Sequence, residues 1–278
     1  MSVIVLTLII LAGAYAAGLL GSLTGLGGGV VIIPLLTILL KVNIHYAIGA
    51  SLVSVIATSS GSAAAYVKEG ITNIRIGMFL EIATTIGAFA GAVLALYVHP
   101  DFIAILFGVI LIFSAFMSLK KKADVAITHP GKVAMALKLN GSYPSGEETI
   151  SYGVQKVGGG FAMMLFAGII SGLLGIGSGA LKVIAMDSIM RIPFKVSTTT
   201  SNFMIGVTAA ASAVVYLQRG YIDPGLSMPV VIGVLLGALT GSKILVHTQS
   251  SRWLRWTFAI VVTFLAIQMM YNGFTGKI

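Results

Sequence analysis

Two glycine-rich stretches 150 positions apart constrain this chain more than any other feature. Gly25-Leu26-Gly27-Gly28-Gly29 precedes an apolar run containing Pro34, and Gly175-Ile176-Gly177-Ser178-Gly179 precedes another. The register then holds without a gap: Ser51 falls on Ser201, Thr58 on Thr208, Tyr66 on Tyr216, Gly70 on Gly220, Gly87 on Gly237 and Gly91 on Gly241. Solenoid units run about 20–50 residues, so a period this long means two similar halves. Each half carries a broken apolar segment at the same place. Such paired, glycine-interrupted segments point to the substrate site of a secondary transporter.

The solvent around those halves is set by composition. Of 278 residues, 57% are hydrophobic and 9% charged, whereas a soluble domain carries about 25% charged residues. Apolar runs of about twenty residues, the length that crosses a hydrocarbon layer of about 30 Å, recur along the chain. The sequence therefore reads as an all-α polytopic membrane protein whose partner is the lipid bilayer. Its net charge of +9 sits in the loops, where it orients the chain and gives no support to a nucleic-acid partner. There is no cysteine, which rules out disulfides, thiolate metal sites and cysteine nucleophiles.

In order, the apolar segments are Val3–Leu23, Val30–Leu40, 46–66, 76–98 and 102–119, then 160–174, 180–190, 197–217, 226–247 and 253–272. The first lacks a basic leader and reads as a mature helix. Three regions follow: a first transmembrane repeat over 1–119, a cytoplasmic linker loop over 120–160, and a second repeat over 161–278. The linker, with Lys120-Lys121-Lys122, Asn140-Gly141 and Glu147-Glu148, reads as a soluble loop with turn signals and no core of its own. Five segments per half would bring the second half in from the opposite side, as an inverted repeat. With the N-terminus outside, the cytoplasm receives Lys68, Arg75, Lys120, Lys121, Lys122, Lys132, Lys138, Lys156, Arg191, Lys195, Arg252 and Arg255, against Lys41, Arg219 and Lys277 outside. That bias fits the positive-inside rule. The rival topology makes the two short segments re-entrant and the halves parallel.

Each short segment has about eleven residues, half the span of the hydrocarbon core. The glycine turn before it should lie at membrane depth, where irregular backbone survives only against protein or a water-filled cavity. The restarting helix presents free N–H groups and a positive dipole end, which suit an anion. The competing account is close helix packing through small residues. Glu81, Lys182 and Asp187 fall inside apolar segments, where ionisable groups are expensive and are functional candidates. Lys182 follows Gly179 by three residues and would add charge to the N–H groups, unless it forms a structural pair with Asp187 or Glu81. Glu81 is the candidate for proton coupling, with snorkelling as the alternative, and Asp187 reads as interfacial. Ser51, Thr200, Ser201 and Asn202 open the third segments and offer side-chain donors, with helix capping as the plainer role for such residues.

No catalytic arrangement, metal-ligand spacing or cofactor motif is present. His45, His99, His129 and His247 lie in loops or at helix ends. Gly25-x-Gly27 lacks the preceding strand that a dinucleotide fingerprint needs.

Gly25-x-Gly-Gly-Gly29 with Pro34, then Ala50-Ser51-Leu52-Val53 and Tyr66-x3-Gly70, with a degenerate second copy, resembles the TauE/SafE sulfite exporter family. The resemblance covers the chain apart from the linker. It implies a two-half membrane protein that moves sulfite, sulfonates or related anions. Ser178, Ile184 and Lys182 depart from the motif and imply an asymmetric site whose charge comes from the second half. The resulting expectation is a carrier that holds a small anion near the midplane and works by alternating access. Gly27, Gly28, Gly29, Gly177, Ser178 and Gly179 would supply backbone N–H groups. Ser51, Thr200, Ser201 and Asn202 would supply donors, and Lys182 the charge. A passive anion channel, a non-transporting scaffold that binds a partner through the linker, and assembly as a homo-oligomer all stay open.

Overall fold

A computed structural model of the protein describes residues 3–24, 28–68, 70–119, 130–145, 148–247 and 252–276. Every apolar segment is helical, because lipid leaves the backbone no hydrogen-bond partner but itself. In the first half, α1 (Val3–Thr24) leads to α2 (Gly29–Pro34), which continues as a π-helical turn, Leu35–Leu39. Then come α3 (Ile44–Lys68), α4 (Ile74–Ala95) and α5 (Pro100–Leu119). The linker holds a one-turn α6 (Lys132–Ala136) and a hairpin of β1 (Gly141–Ser145) and β2 (Glu148–Tyr152). The second half repeats the series: α7 (Val157–Leu174), α8 (Gly179–Ile184) with its π-helical turn Ala185–Ile189, α9 (Phe194–Gln218), α10 (Pro224–His247) and α11 (Arg252–Phe274).

The repeat extends to backbone detail. Both π-helical turns end at a non-glycine residue with positive φ, Lys41 at 56° and Arg191 at 60°. After each, the chain folds back through the same bond, Val42 N–H to Leu36 O and Ile192 N–H to Met186 O, both 3.0 Å. Asn73 caps α4 by accepting from Ile76 N–H (3.1 Å), and its repeat mate Asp223 caps α10 by accepting from Leu226 N–H (2.8 Å). Caps of this kind satisfy N–H groups that have no partner within the helix.

Packing obeys the same exchange of halves. Helix α1 lies along α10 and α4 along α7, while α3 crosses α9 and α5 packs on α11. A Cβ on Gly87 would fall on the Leu165 carbonyl oxygen, and one on its mate Gly237 would fall on that of Tyr15. Gly168 meets Thr84, and its mate Gly18 meets Val234, in the same way. Close approach through small residues is how membrane helices associate. The contacts also give direction. Gly49 meets Tyr221, Gly206 meets Ser59, and Asn73 N–H bonds Thr200 Oγ1 (3.1 Å), so α3 and α9 run antiparallel. Gly108 against Met270 and Gly273 against Asp101 make α5 and α11 antiparallel as well. Helices α4 and α7 run parallel, with Gly87 at Leu165 and Gly91 at Ile169.

Outward faces are apolar. Met78, Ile82, Ile86 and Phe89 form an exposed stripe along α4, and Ile260, Phe264 and Ile267 form one along α11. Water would make such stripes a liability; hydrocarbon is their natural solvent. Among the described residues, α4, α7, α9 and the Pro224–Gly241 part of α10 are long and apolar enough to cross a membrane. Shorter apolar stretches occupy α1, α3, α5 and α11. The protein is a mostly helical, multi-pass membrane protein.

The linker differs from the loop expected of it. Leu139, Tyr143, Tyr152 and Val154 are buried in one cluster with Ile76, Leu80 and Met186 of the membrane helices and with Met190 and Ile192 of the bend before α9. Asn73 Nδ2 donates to Tyr152 Oη (2.8 Å) and Leu139 O (3.2 Å), which pins the hairpin to the α3–α4 corner. Burial holds the Tyr152 phenol above its usual range, against the opposing hydrogen bond from Asn73. The hairpin thus has no core of its own but borrows one from the helices, and it adds a small sheet to a chain read as all-α. Residues 120–129, including Lys120-Lys121-Lys122, lie outside the described residues.

Candidate functional site

The two glycine turns meet where α3 crosses α9. In the second turn, Gly175 (φ 68°), Gly177 (φ 70°) and Ser178 (φ 45°) all take left-handed backbone. A Cβ at Gly177 would press into Ile205 and lie 3.4 Å from Val55, near the midpoints of α9 and α3. From the first turn, a Cβ at Gly29 would run into Ser51 Oγ and come 3.3 Å from Gly175 O. Gly28 caps α2, its carbonyl accepting from Val31 (3.1 Å) and Ile32 (3.2 Å) N–H. Gly25, Leu26 and Gly27 lie outside the described residues.

The hydroxyls expected to offer donors are engaged with backbone. Ser51 Oγ donates across the halves to Gly175 O (2.8 Å), and Ser201 Oγ donates to Gly179 O (3.2 Å). They brace the turn. Thr200 Oγ1, near the start of α9, accepts from Asn73 N–H, so it stands with the hairpin anchor as well as on the α9 face. Asn202 is buried one step further along α9. His45, buried at the start of α3, stacks on Tyr221 (5.0 Å) away from the turns.

Ser178 is different. It is 4% exposed and its Oγ has no hydrogen-bond partner. Left-handed backbone costs a non-glycine residue about 1–2 kcal/mol, and an unsatisfied buried hydroxyl adds about 1–3 kcal/mol. A glycine would avoid both; Ser171 and Ser227 share the unpartnered buried hydroxyl, and Ser178 adds to it the left-handed backbone of the turn, which makes it a candidate ligand contact. The first N–H groups of α8 lie beside it and have no intrahelical acceptor.

One turn further, Lys182 is fully buried. Its Nζ donates to Thr208 Oγ1, and that hydroxyl donates to Glu81 Oε1 (2.6 Å). Thr85 Oγ1 also reaches Oε1 (3.4 Å). The other carboxylate oxygen, Oε2, is 4.0 Å from Lys182 Nζ and, though buried, accepts no hydrogen bond. Of the two partners expected for Lys182, the structure selects Glu81; Asp187 is half-exposed beside Ser188. The repeat mates of Lys182 and Glu81 are Ile32 and Val231, so the charge belongs to one side only. Thr208 was missed as a site residue, although its register with Thr58 was visible. Both threonines lie within reach of the carbonyl one turn back on their own helix, Thr58 of Ser54 O (3.1 Å) and Thr208 of Met204 O (3.0 Å), and nothing in the sequence says that Thr208 also reaches Glu81.

No group of three metal-ligating side chains occurs among the described residues. The arrangement offers a turn of N–H groups, an unpartnered hydroxyl and a buried cation, which suits holding an anion.

Comparison with known proteins gives the family. The family model described as "Sulfite exporter TauE/SafE" matches residues 9–269. The probable membrane transporter protein YunE of Bacillus subtilis (strain 168) is 30% identical over 266 residues, covering 92% of this chain and 94% of the relative. The probable membrane transporter protein YdhB of the same organism is 28% identical over 235 residues, covering 82% and 86%. An archaeal relative, the probable membrane transporter protein MJ0441 of Methanocaldococcus jannaschii, is 24% identical over 257 residues, covering 87% and 86%. No solved structure matches. On the extent of these matches and the membrane architecture, the chain belongs to the sulfite exporter TauE/SafE family, a family of membrane transporters and not of enzymes.

Proposed function

We propose that this protein is a secondary carrier for a small sulfur-containing anion, sulfite, a sulfonate or a close relative, in a cell membrane. The anion sits between the two glycine turns. Gly28, Gly29, Gly177, Ser178 and Gly179 present backbone N–H groups, Ser178 adds its hydroxyl, and Lys182 supplies charge. The carrying observation is Ser178: buried, left-handed and unpartnered at the point where the turns meet. Residues 1–119 and 161–278 act as the two halves, joined by a cytoplasmic linker over 120–160. Antiparallel α3/α9 and α5/α11, with parallel α4/α7, support halves of opposite orientation, since parallel repeats would run α3 and α9 the same way. Alternating access then follows from rocking one half against the other about the α3–α9 crossing.

Purified protein in vesicles tests the reading. Labelled sulfite or methanesulfonate should enter with saturation and be driven out by counterflow. Ohmic, non-saturable flux would make the protein a channel, and no flux with intact fold would return it to a scaffold. Reporter fusions after Lys122 and at Ile278 should fall on opposite sides of the membrane. The same side for both would overturn the inverted arrangement.

A further inference from the structure

Lys182 and Glu81 form a buried, electrically neutral unit that is only half bonded. Thr208 stands between them, the ammonium and Oε2 are 4.0 Å apart, and Oε2 has no donor. This inference rests on the anion site proposed above, since a monoanion beside Ser178 would draw on the Lys182 charge. The buried set would then be Lys182⁺, Glu81⁻ and A⁻, with one uncompensated negative charge. Burying an unpaired charge is among the most expensive states a protein or bilayer interior can adopt. A proton on Glu81 removes it. The bare Oε2 is where that proton forms its O–H bond, while Oε1 keeps the Thr208 hydroxyl.

We propose that Glu81 is the proton-coupling residue and that each monoanion is carried together with one proton. The proton is taken from the aqueous phase to which the site is open and is released with the anion on the other side. Thr208 carries the message between the two events, because its hydroxyl accepts from Lys182 and has two acceptors in reach for its one proton, Glu81 Oε1 at 2.6 Å and Met204 O at 3.0 Å. When the ammonium turns to the anion, both bonds are free to change.

Few other groups compete for this role. Lys182 of α8 and the hydroxyls of Thr208 and Thr85 face Glu81, and α7, packed along α4, has no ionisable side chain. On α9, Lys195 lies 3.5 Å from Pro144 O and Tyr216 3.4 Å from Gly172 O, both far along the helix from Thr208. Arg75 at the start of α4 and Glu148 of the hairpin are exposed. With Ile32 and Val231 at the mates of Lys182 and Glu81, the second such unit does not exist, so the stoichiometry is one to one.

Methanesulfonate, whose charge does not change across the working pH range, is the probe. Calorimetric titration of the purified full chain, in buffers of different ionisation enthalpy, counts protons taken up on binding. The expected result is close to one proton per anion, with Kd rising about tenfold per pH unit once free Glu81 is ionised. Glu81→Gln, which mimics the protonated acid, should bind with no proton uptake and a flat pH profile. Binding to wild type without proton uptake would overturn the coupling and leave the anion site standing, whatever the variant does. No methanesulfonate or sulfite binding at any pH would overturn both.

Discussion

Two regions share one register and little chemistry. Around the first glycine turn stand Ile32, Thr58 and Val231; around the second stand Lys182, Thr208 and Glu81. The backbones match down to the positive φ of Lys41 and Arg191. Yet Ile32 is an inert part of the core, whereas Lys182 is a buried cation. The scaffold needs both halves alike, because α3 and α5 pack on their own mates α9 and α11, while α1 on α10 and α4 on α7 repeat one and the same contact. A small anion needs only one charge. The frame is common to both halves, and two of these three paired positions, Ile32/Lys182 and Val231/Glu81, carry the difference on which the proposed site rests.

The largest effects come from breaking this asymmetry. Lys182→Met should abolish methanesulfonate-dependent thermal stabilisation and destabilise the protein by about 3–5 kcal/mol, because Glu81 is left without its partner. Ile32→Lys should destabilise by a comparable amount, since no carboxylate faces it. Melting in detergent with and without anion checks both. A Lys182→Met protein that still binds the anion would reduce Lys182 to a structural partner of Glu81.

Ser178→Ala sharpens the comparison. A hydrogen bond to a charged group contributes about 1.5–3 kcal/mol, so affinity should fall roughly tenfold to a hundredfold. Apo stability should stay unchanged or rise, because a buried hydroxyl without a partner has gone. Loss of stability with unchanged affinity would return Ser178 to a packing role.

The symmetric frame predicts the next effect. Gly87→Ala and Gly237→Ala each force a methyl onto a carbonyl of the neighbouring helix and should cost about 1–3 kcal/mol. The two losses should be similar, and neither should alter the pH dependence of binding. Tm values and pH titrations of the pair check this. Clearly unequal losses would mean the halves do not bear load equally.

The smallest effect concerns the hairpin, which has no counterpart among the described residues of the second half. Tyr152→Phe removes the phenol that accepts from Asn73 and should cost about 0.5–1.5 kcal/mol. Limited proteolysis should show faster cleavage between β1 and β2 with the helices intact. An unchanged rate would mean the apolar contacts of Tyr143 and Val154 hold the hairpin alone.

By itself the sequence determined the frame: ten apolar segments, their broken second members, and the register pairing Gly87 with Gly237 and Ser51 with Ser201. These are one-dimensional properties, set by hydropathy and by where backbone can bend, and lipid forces apolar segments into helices. It also singled out Lys182 and Glu81, because a charge in an apolar run is anomalous wherever it folds. Only the tertiary structure decided that Lys182 reaches Glu81 and not Asp187. That choice depends on α4, α8 and α9 meeting at one point from positions 81, 182 and 208. The same holds for Ser51 and Ser201, which look like free donors in sequence but are spent on turn carbonyls. It holds again for the linker, whose polar, turn-rich sequence hides side chains such as Leu139, Tyr143, Tyr152 and Val154 that pack on a core built by other segments. Hydrogen-bond partners and shared cores are properties of two or more segments at once, and no single stretch encodes them.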